Sequence, residues 1–233
     1  MIDIVPHICS FLNNYDKIQY LSTNKWYYDF RENIFFEESV YIDDIHHLWY
    51  FDSFINIITN DIQSFPKFTK YLTFDYLFEE HIENYIPLTV THLHFDCNLF
   101  YQGKDNVLPP NTTHLIFDCE FAHDDDRYGM VVAFNDNIPL NIPSSVTHLT
   151  FGKVYNKRIA KHVPDSATHL SFGNTFNQDI TGCIGSNITH LYFGYQFKHE
   201  LNYIIPITIK HITLSKNYNL NLCKHLKCTI DFY

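Results

Sequence analysis

Apolar residues recur along most of this chain in a six-residue unit, apolar–x–x–apolar–x–apolar, at a near-constant interval. The clearest copies are Val146-Thr-His-Leu-Thr-Phe151, Ala167-Thr-His-Leu-Ser-Phe172 and Ile188-Thr-His-Leu-Tyr-Phe193. Val90-Thr-His-Leu-His-Phe95 and Thr112-Thr-His-Leu-Ile-Phe117 precede them. Weaker copies, Thr69-Lys-Tyr-Leu-Thr-Phe74 and Ile209-Lys-His-Ile-Thr-Leu214, flank the set. The third places are Tyr71, His92, His114, His148, His169, His190 and His211, at steps of 21, 22, 34, 21, 21 and 21 residues. Such a fixed period marks a stacked repeat array. Alternate residues of a strand share a face, so Leu149 and Phe151 point into a core and Thr150 points out. Alternation rich in Thr and aromatics predicts a half-buried strand at every copy.

The rest of each repeat keeps the same register. A second aromatic follows four residues on (Phe78, Tyr155, Phe176, Phe197, Tyr218), and an aliphatic four beyond that (Ile82, Ile159, Ile180, Leu201, Leu222). Pro87, Pro164 or Pro206, with Gly185 once, stands just ahead of the next strand. Proline has a preset φ and no N–H, which suits a turn. Each buried apolar side chain contributes roughly 1.5–3 kcal/mol, while ordering costs roughly 1–2 kcal/mol per residue. A repeat with four or five such side chains therefore cannot stand alone. Stacking into a parallel solenoid supplies the missing contacts, and the ladder spacing of ~4.8 Å lines equivalent residues up in columns.

The step from His114 to His148 predicts an insertion at about 119–133, which contains His123-Asp-Asp-Asp-Arg-Tyr-Gly129. Terminal repeats are expected to be irregular. Ile45-His-His-Leu-Trp-Tyr50, with Phe54 and Ile58, reads as a degenerate first rung, and Ile230-Asp-Phe-Tyr233 as a closing strand. At the head of the chain Ile8, Phe11 and Leu12 fall on one helical stripe, as do Ile18 and Leu21. Pro6 stands where a helix can begin, and Asp16 is placed to cap a second helix. The expected fold is α+β. A helical unit at 1–40 leads through a degenerate rung and linker at 41–65 into about seven repeats at 66–226, closed by a strand at 227–233.

A net charge of −10 argues against nucleic acid, because phosphate binding needs clustered Lys and Arg. The N-terminus lacks signal-peptide features, and no apolar run approaches the ~18 residues that span a bilayer. An intracellular, cytoplasmic protein is expected, with Cys9, Cys97, Cys119, Cys183, Cys223 and Cys228 as reduced, buried or half-buried thiols. There is no phosphate loop, metalloprotease helix or nucleophile elbow. No enzymatic activity, catalytic residue or cofactor is assigned.

Phe176-Asn-Gln-Asp-Ile180, within its Pro…Thr-His-Leu-x-Phe-Gly framework, resembles the FNIP repeat, a leucine-rich-repeat-like unit of about 22 residues. The resemblance covers roughly 66–226 and implies a leucine-rich-repeat-like β-solenoid. Departures are Gly185 for Pro, Tyr71 for His, and the insertion. Family members are expanded in amoebae and their giant viruses, which would place the protein in a host cytoplasm if viral. Residues 4–30 resemble an F-box: Ile4-Val-Pro-His-Ile-Cys-Ser-Phe-Leu12, Asp16, Leu21-Ser22 and Lys25-Trp-Tyr27. That resemblance implies docking to a Skp1-like adaptor and cullin through Pro6, Ile8, Phe11, Leu12, Leu21 and Trp26, with the solenoid holding a protein substrate for ubiquitination.

Two outward columns are candidate substrate surface. His92, His114, His148, His169, His190 and His211 form the first. Zinc needs ligands converging tetrahedrally, and a straight column does not converge, so stacked rings bonded to Thr hydroxyls are expected. Like-charge repulsion between neighbouring rungs should hold their pKa values below about 6.5. Four residues further on, Asp75, Asp96 and Asp118 give way to Gly152, Gly173 and Gly194, with Asp124, Asp125 and Asp126 nearby in the insertion. This acidic patch either faces solvent or recruits a cation or basic peptide. A ligase substrate-recruiting subunit is the favoured reading. The alternatives are a repeat binding module with a purely structural N-terminal cap, and a metal-binding protein using the Asp and His columns.

Overall fold

The computed structural model describes residues 4–23, 34–61, 64–78, 86–96, 108–118, 142–159, 163–223 and 225–233. The insertion at 119–133, Ile82, Cys97 and Cys119 lie outside them. The described strands form one sheet whose spatial order is the order of the chain. They are β1 Val40–Tyr41, β2 Asn56–Thr59, β3 Tyr71–Phe74, β4 His92–Phe95 and β5 His114–Phe117, then β6 His148–Phe151, β7 His169–Phe172, β8 His190–Tyr192, β9 His211–Leu214 and β10 Thr229–Phe232. All neighbours pair in parallel. From Tyr71 to His211, each third-place residue faces its counterpart on the next rung. This is the solenoid that the period demanded.

Inward residues build the core in stacked layers. Leu93, Leu115, Leu149, Leu170 and Leu191 are buried behind the sheet. The first aromatics stack from rung to rung: Phe74 on Phe95 at 5.3 Å, Phe151 on Phe172 at 5.6 Å and Phe172 on Phe193 at 5.3 Å. The second aromatics make a parallel stack, Tyr155–Phe176–Phe197–Tyr218, at 6.1 Å per step. Offset stacking at such separations adds to simple area burial. The turn before each strand closes when the strand-leading residue donates to the proline carbonyl, as in Val90 N to Pro87 O and Ala167 N to Pro164 O, both 3.0 Å. A second stitch went unforeseen. Ser145, Ser166 and Thr208 hydroxyls donate to carbonyls of the preceding rung, and Asn111 and Asn187 amides do the same.

Both ends differ from the middle. At the C-terminus β10 pairs with β9 from Thr229, in agreement with the expected closing strand. At the N-terminus the expected first rung at Ile45–Tyr50 is corrected. Ile42–Ile45 forms a short helix, α3, with Ile42 and Ile45 buried, and the strand lies at Asn56–Thr59. A further short strand, β1, lies before it, so 41–65 carries more sheet than one degenerate rung. Ile45 faces the core from a helical turn, so the motif-like string that begins there is not a strand.

Helices α1 (Ile4–Cys9) and α2 (Asn14–Ser22) form the N-terminal unit. Val5, Cys9, Leu21 and Ile34 make a small separate core. Asn13, not Asp16, caps α2: its side-chain oxygen accepts from the Asp16 N–H at 2.7 Å. The free cysteines among the described residues, Cys9, Cys183, Cys223 and Cys228, are buried or half-buried. No helix among the described residues is long and apolar enough to cross a membrane.

Candidate functional site

The solvent face of the sheet carries the histidine column as a continuous stack. Ring centroids are 4.0 Å apart for His92–His114, 4.1 Å for His114–His148 and His148–His169, 4.2 Å for His169–His190 and 4.9 Å for His190–His211. Adjacent rings are within 15° of parallel, and Tyr71 extends the stack beyond His92 at 4.4 Å. The rings are half-buried from His92 to His190 and exposed at His211. Parallel rings aim their lone pairs side by side. Among the described residues no group of three or more His, Cys, Asp or Glu could hold a metal ion.

Threonine fixes five of the six rings. The Oγ1 atoms of Thr91, Thr113, Thr147 and Thr168 lie 2.9 Å from Nδ1 of His92, His114, His148 and His169, and Thr189 lies 2.8 Å from His190. Thr147 O accepts the Thr168 and His169 N–H groups at 2.9 and 3.0 Å, and the Thr168 hydroxyl donates to it at 3.2 Å. The same pattern ties the Thr113, Thr147 and Thr189 hydroxyls to the carbonyls of Thr91, Thr113 and Thr168.

Burial is the first cause holding His92, His114, His148, His169 and His190 below the ordinary imidazole value. Repulsion from other members of the column comes second. The expected direction stands, with desolvation ahead of the like-charge effect.

The next outward place along the strands holds Thr150, Ser171, Tyr192 and Thr213 on β6 to β9. With the histidines of these strands they line a shallow groove of about 250 Å³. On β4 this place is His94, whose Nε2 is buried without a partner, as is Oδ1 of Asp96 two residues on. Burial lowers the His94 pKa against the pull of Asp118 and Asp96. Burial also raises the Asp96 pKa, with His94 opposing and Asp118 and Asp75 reinforcing.

The acidic column is less open than the sequence reading had it. Asp75 is buried and accepts the Tyr41 hydroxyl at 2.8 Å, and Asp118 accepts the Lys153 N–H at 3.3 Å. Asp124, Asp125 and Asp126 lie outside the described residues.

The residues expected to dock an adaptor are dispersed around α1 and α2. Pro6 lies in the first turn of α1, where its missing N–H breaks no helical bond. α1 ends at Cys9, so Phe11 and Leu12 occupy the turn that follows and do not continue a helical stripe. Ile8 and Leu12 are half-buried, Phe11 is 77% exposed, and Leu21 is buried in the small core at 3%. Leu21 therefore supports the unit from within. Trp26 lies outside the described residues.

Two adjacent stretches, 134–175 and 176–217, match the FNIP Repeat family model. The crystal structure of CroV588, a circular leucine-rich-repeat protein of a giant virus, is similar with a TM-score of 0.55 and 28% identity. The match covers 77% of this chain and 30% of that one, so this chain spans under a third of the other's length. No curated protein matches. Fold, registers and matches together show a parallel β-solenoid similar to a leucine-rich-repeat protein, in which 134–217 match the FNIP Repeat model. Such arrays present extended surfaces to partners.

Proposed function

We propose that this chain is a protein-interaction adaptor whose N-terminal unit docks onto a Skp1-like adaptor and cullin, while its solenoid holds a protein for ubiquitination. One observation carries the reading. The small unit at 4–23 leaves Ile4 at 56%, Phe11 at 77% and Tyr15 at 67% exposed. Exposed apolar surface of this kind marks interaction sites, and the F-box resemblance supplies the partner.

A second reading is supported by the ties between α2 and the segment that leads into β1. Lys17 Nζ donates to Phe35 O at 2.9 Å, and Asn14 bonds to Glu38 through backbone and side chain. Those contacts are what a purely structural cap would need.

Capture by a purified Skp1-like adaptor separates the two. The native chain should be retained, and Phe11→Asp should lose retention at least about tenfold with unchanged circular dichroism, because the ring already faces solvent. A folded native chain that the adaptor does not retain would leave the structural cap as the standing account.

A further inference from the structure

We infer that the outer edge of β10 is a two-fold interface, at which a second copy of this chain adds its own β10 antiparallel and extends the sheet. The inference is independent of the adaptor reading above, because β10 lies at the opposite end of the sheet from β1 and the helices tied beside it.

The backbone leaves this edge unpaired. Within the array, second- and sixth-place groups turn toward the next rung: Thr91 O accepts from His114 N at 3.0 Å, Phe74 O accepts from Asp96 N at 2.8 Å, and Phe193 N donates to Thr213 O at 3.0 Å. Odd-place groups turn back, as Thr229 N does to Lys210 O at 2.9 Å and Tyr233 N to Leu214 O at 3.2 Å. Thr229 pairs with His211 and so holds the third place of its rung. Cys228, Ile230 and Phe232 therefore aim their N–H and C=O groups out of the sheet, and no strand among the described residues follows β10. An open row of this kind is a template for another strand. The first edge is closed by contrast. β1 has two residues, and just before it Asn14 engages the Glu38 carbonyl at 3.3 Å and the Glu38 N–H at 3.4 Å. That cover obstructs a head-to-tail stack of β10 on β1 and leaves β10 to pair with itself.

The core is open at the same edge. Ile212 and Leu214 on β9 are 0% and 1% exposed, whereas their β10 partners differ: Ile230 is half-buried and Phe232 is 40% exposed. Leu226 and Cys228, also half-buried, continue the inward row and pack on the main core. A solenoid whose terminal rung lacks a polar outer face needs a cover for solubility.

Charge sets the register. The outward residues along the edge are Lys227, Thr229 and Asp231, all exposed. With Thr229 on the two-fold axis, Asp231 of each copy lies opposite Lys227 of the second copy, Ile230 opposite Cys228, and Phe232 opposite Leu226. Ile230 and Cys228 then form a hydrogen-bonded pair, as their outward backbone groups require. Thr229 meets its own counterpart in a non-hydrogen-bonded pair, where Cα atoms stand about 4.5 Å apart. Opposite charges directly across an antiparallel pair stabilise it, and like charges destabilise it. An axis at Asp231 would set the two carboxylates face to face, so the Thr229 register is the one the side chains favour.

Sedimentation equilibrium of the full chain should give a two-chain species in the micromolar range. Asp231→Lys and Lys227→Asp should each weaken it about tenfold, since each reversal changes two symmetric pairs. The double variant Lys227→Asp, Asp231→Lys should restore the native affinity. Circular dichroism should stay unchanged in all three, because both side chains face solvent. On mild oxidation Thr229→Cys should form a disulfide between copies that the native chain lacks, because the separation on the axis is within disulfide reach. Asp231→Cys should not. A native chain that sediments as a monomer throughout the micromolar range, a dimer that survives both single reversals, or a Thr229→Cys chain that fails to cross-link overturns the proposal.

Discussion

Glycine just after the sixth place of a rung is required by how closely successive turns approach. A Cβ on Gly173 would lie 2.1 Å from the Gly152 carbonyl oxygen and 2.6 Å from the Lys153 Cα, and both obstacles are backbone. At the earlier rungs the same place tolerates aspartate, because the chain runs on by one more ladder bond, Asp96 N to Phe74 O at 2.8 Å. Gly185 is a different case: nothing lies within 4 Å of an added Cβ and its φ is ordinary. Gly173→Ala should therefore cost about 1–3 kcal/mol through overpacking. Gly185→Ala should gain about 0.4–1 kcal/mol by restricting the unfolded chain. Urea midpoints of the two variants check both signs, and a neutral Gly173→Ala would refute the contact. The column of Asp and Gly was legible in the sequence, but the reason for the change was not. A string of letters records which residue lacks a Cβ and does not record how near the previous rung has come.

The interior rungs were legible as elements because two independent periods agree there, alternation within a strand and 21 residues between strands. The first rung was misread because Ile45-His-His-Leu-Trp-Tyr50 mimics the motif, whereas the true strand, Asn56–Thr59, has neither the histidine nor the aromatic. That strand needs only Ile57 and Thr59 to face inward, and they are 0% and 1% exposed. The N-terminal helices were legible in number but not in extent, because Asn13 rather than Asp16 supplies the cap. Within the array, position decides what a ring is worth. Phe172 is 0% exposed and stacks on Phe151, Phe176 and Phe193. Phe232 pairs with Leu214 at an equivalent inward place but is 40% exposed on the last described rung. Phe172→Ala should cost about 3–5 kcal/mol, and Phe232→Ala should cost well under half of that. Chemical denaturation of both variants tests the contrast, and equal losses would mean that the stacked column is not the source of stability.

At the scale of the whole molecule, the histidine column makes one titrating object of rungs β4 to β8. Each inner ring sits between two others at about van der Waals contact, and burial already disfavours the charged form. Folded-state values lowered from 6.5 at His92, His114, His148, His169 and His190 mean that the unfolded chain binds more protons in that range. The stability these groups contribute is therefore complete above about pH 6.5 and is lost progressively below it. His94 adds in the same direction, because burial outweighs Asp118 and Asp96. Asp96, raised from 3.8, acts with the opposite sign and only at lower pH, where protonation relieves its burial and its repulsion from Asp118 and Asp75. Urea midpoints should fall between about pH 7 and about pH 5.5. The double variant His148→Gln, His169→Gln should flatten that slope, because it removes the two innermost titrating rings while keeping polar groups at both rungs. Because each rung rests on its neighbours, the loss should appear as one cooperative transition. A midpoint that rises on acidification, or a slope unchanged in the double variant, would show that the column is not what couples this solenoid to pH.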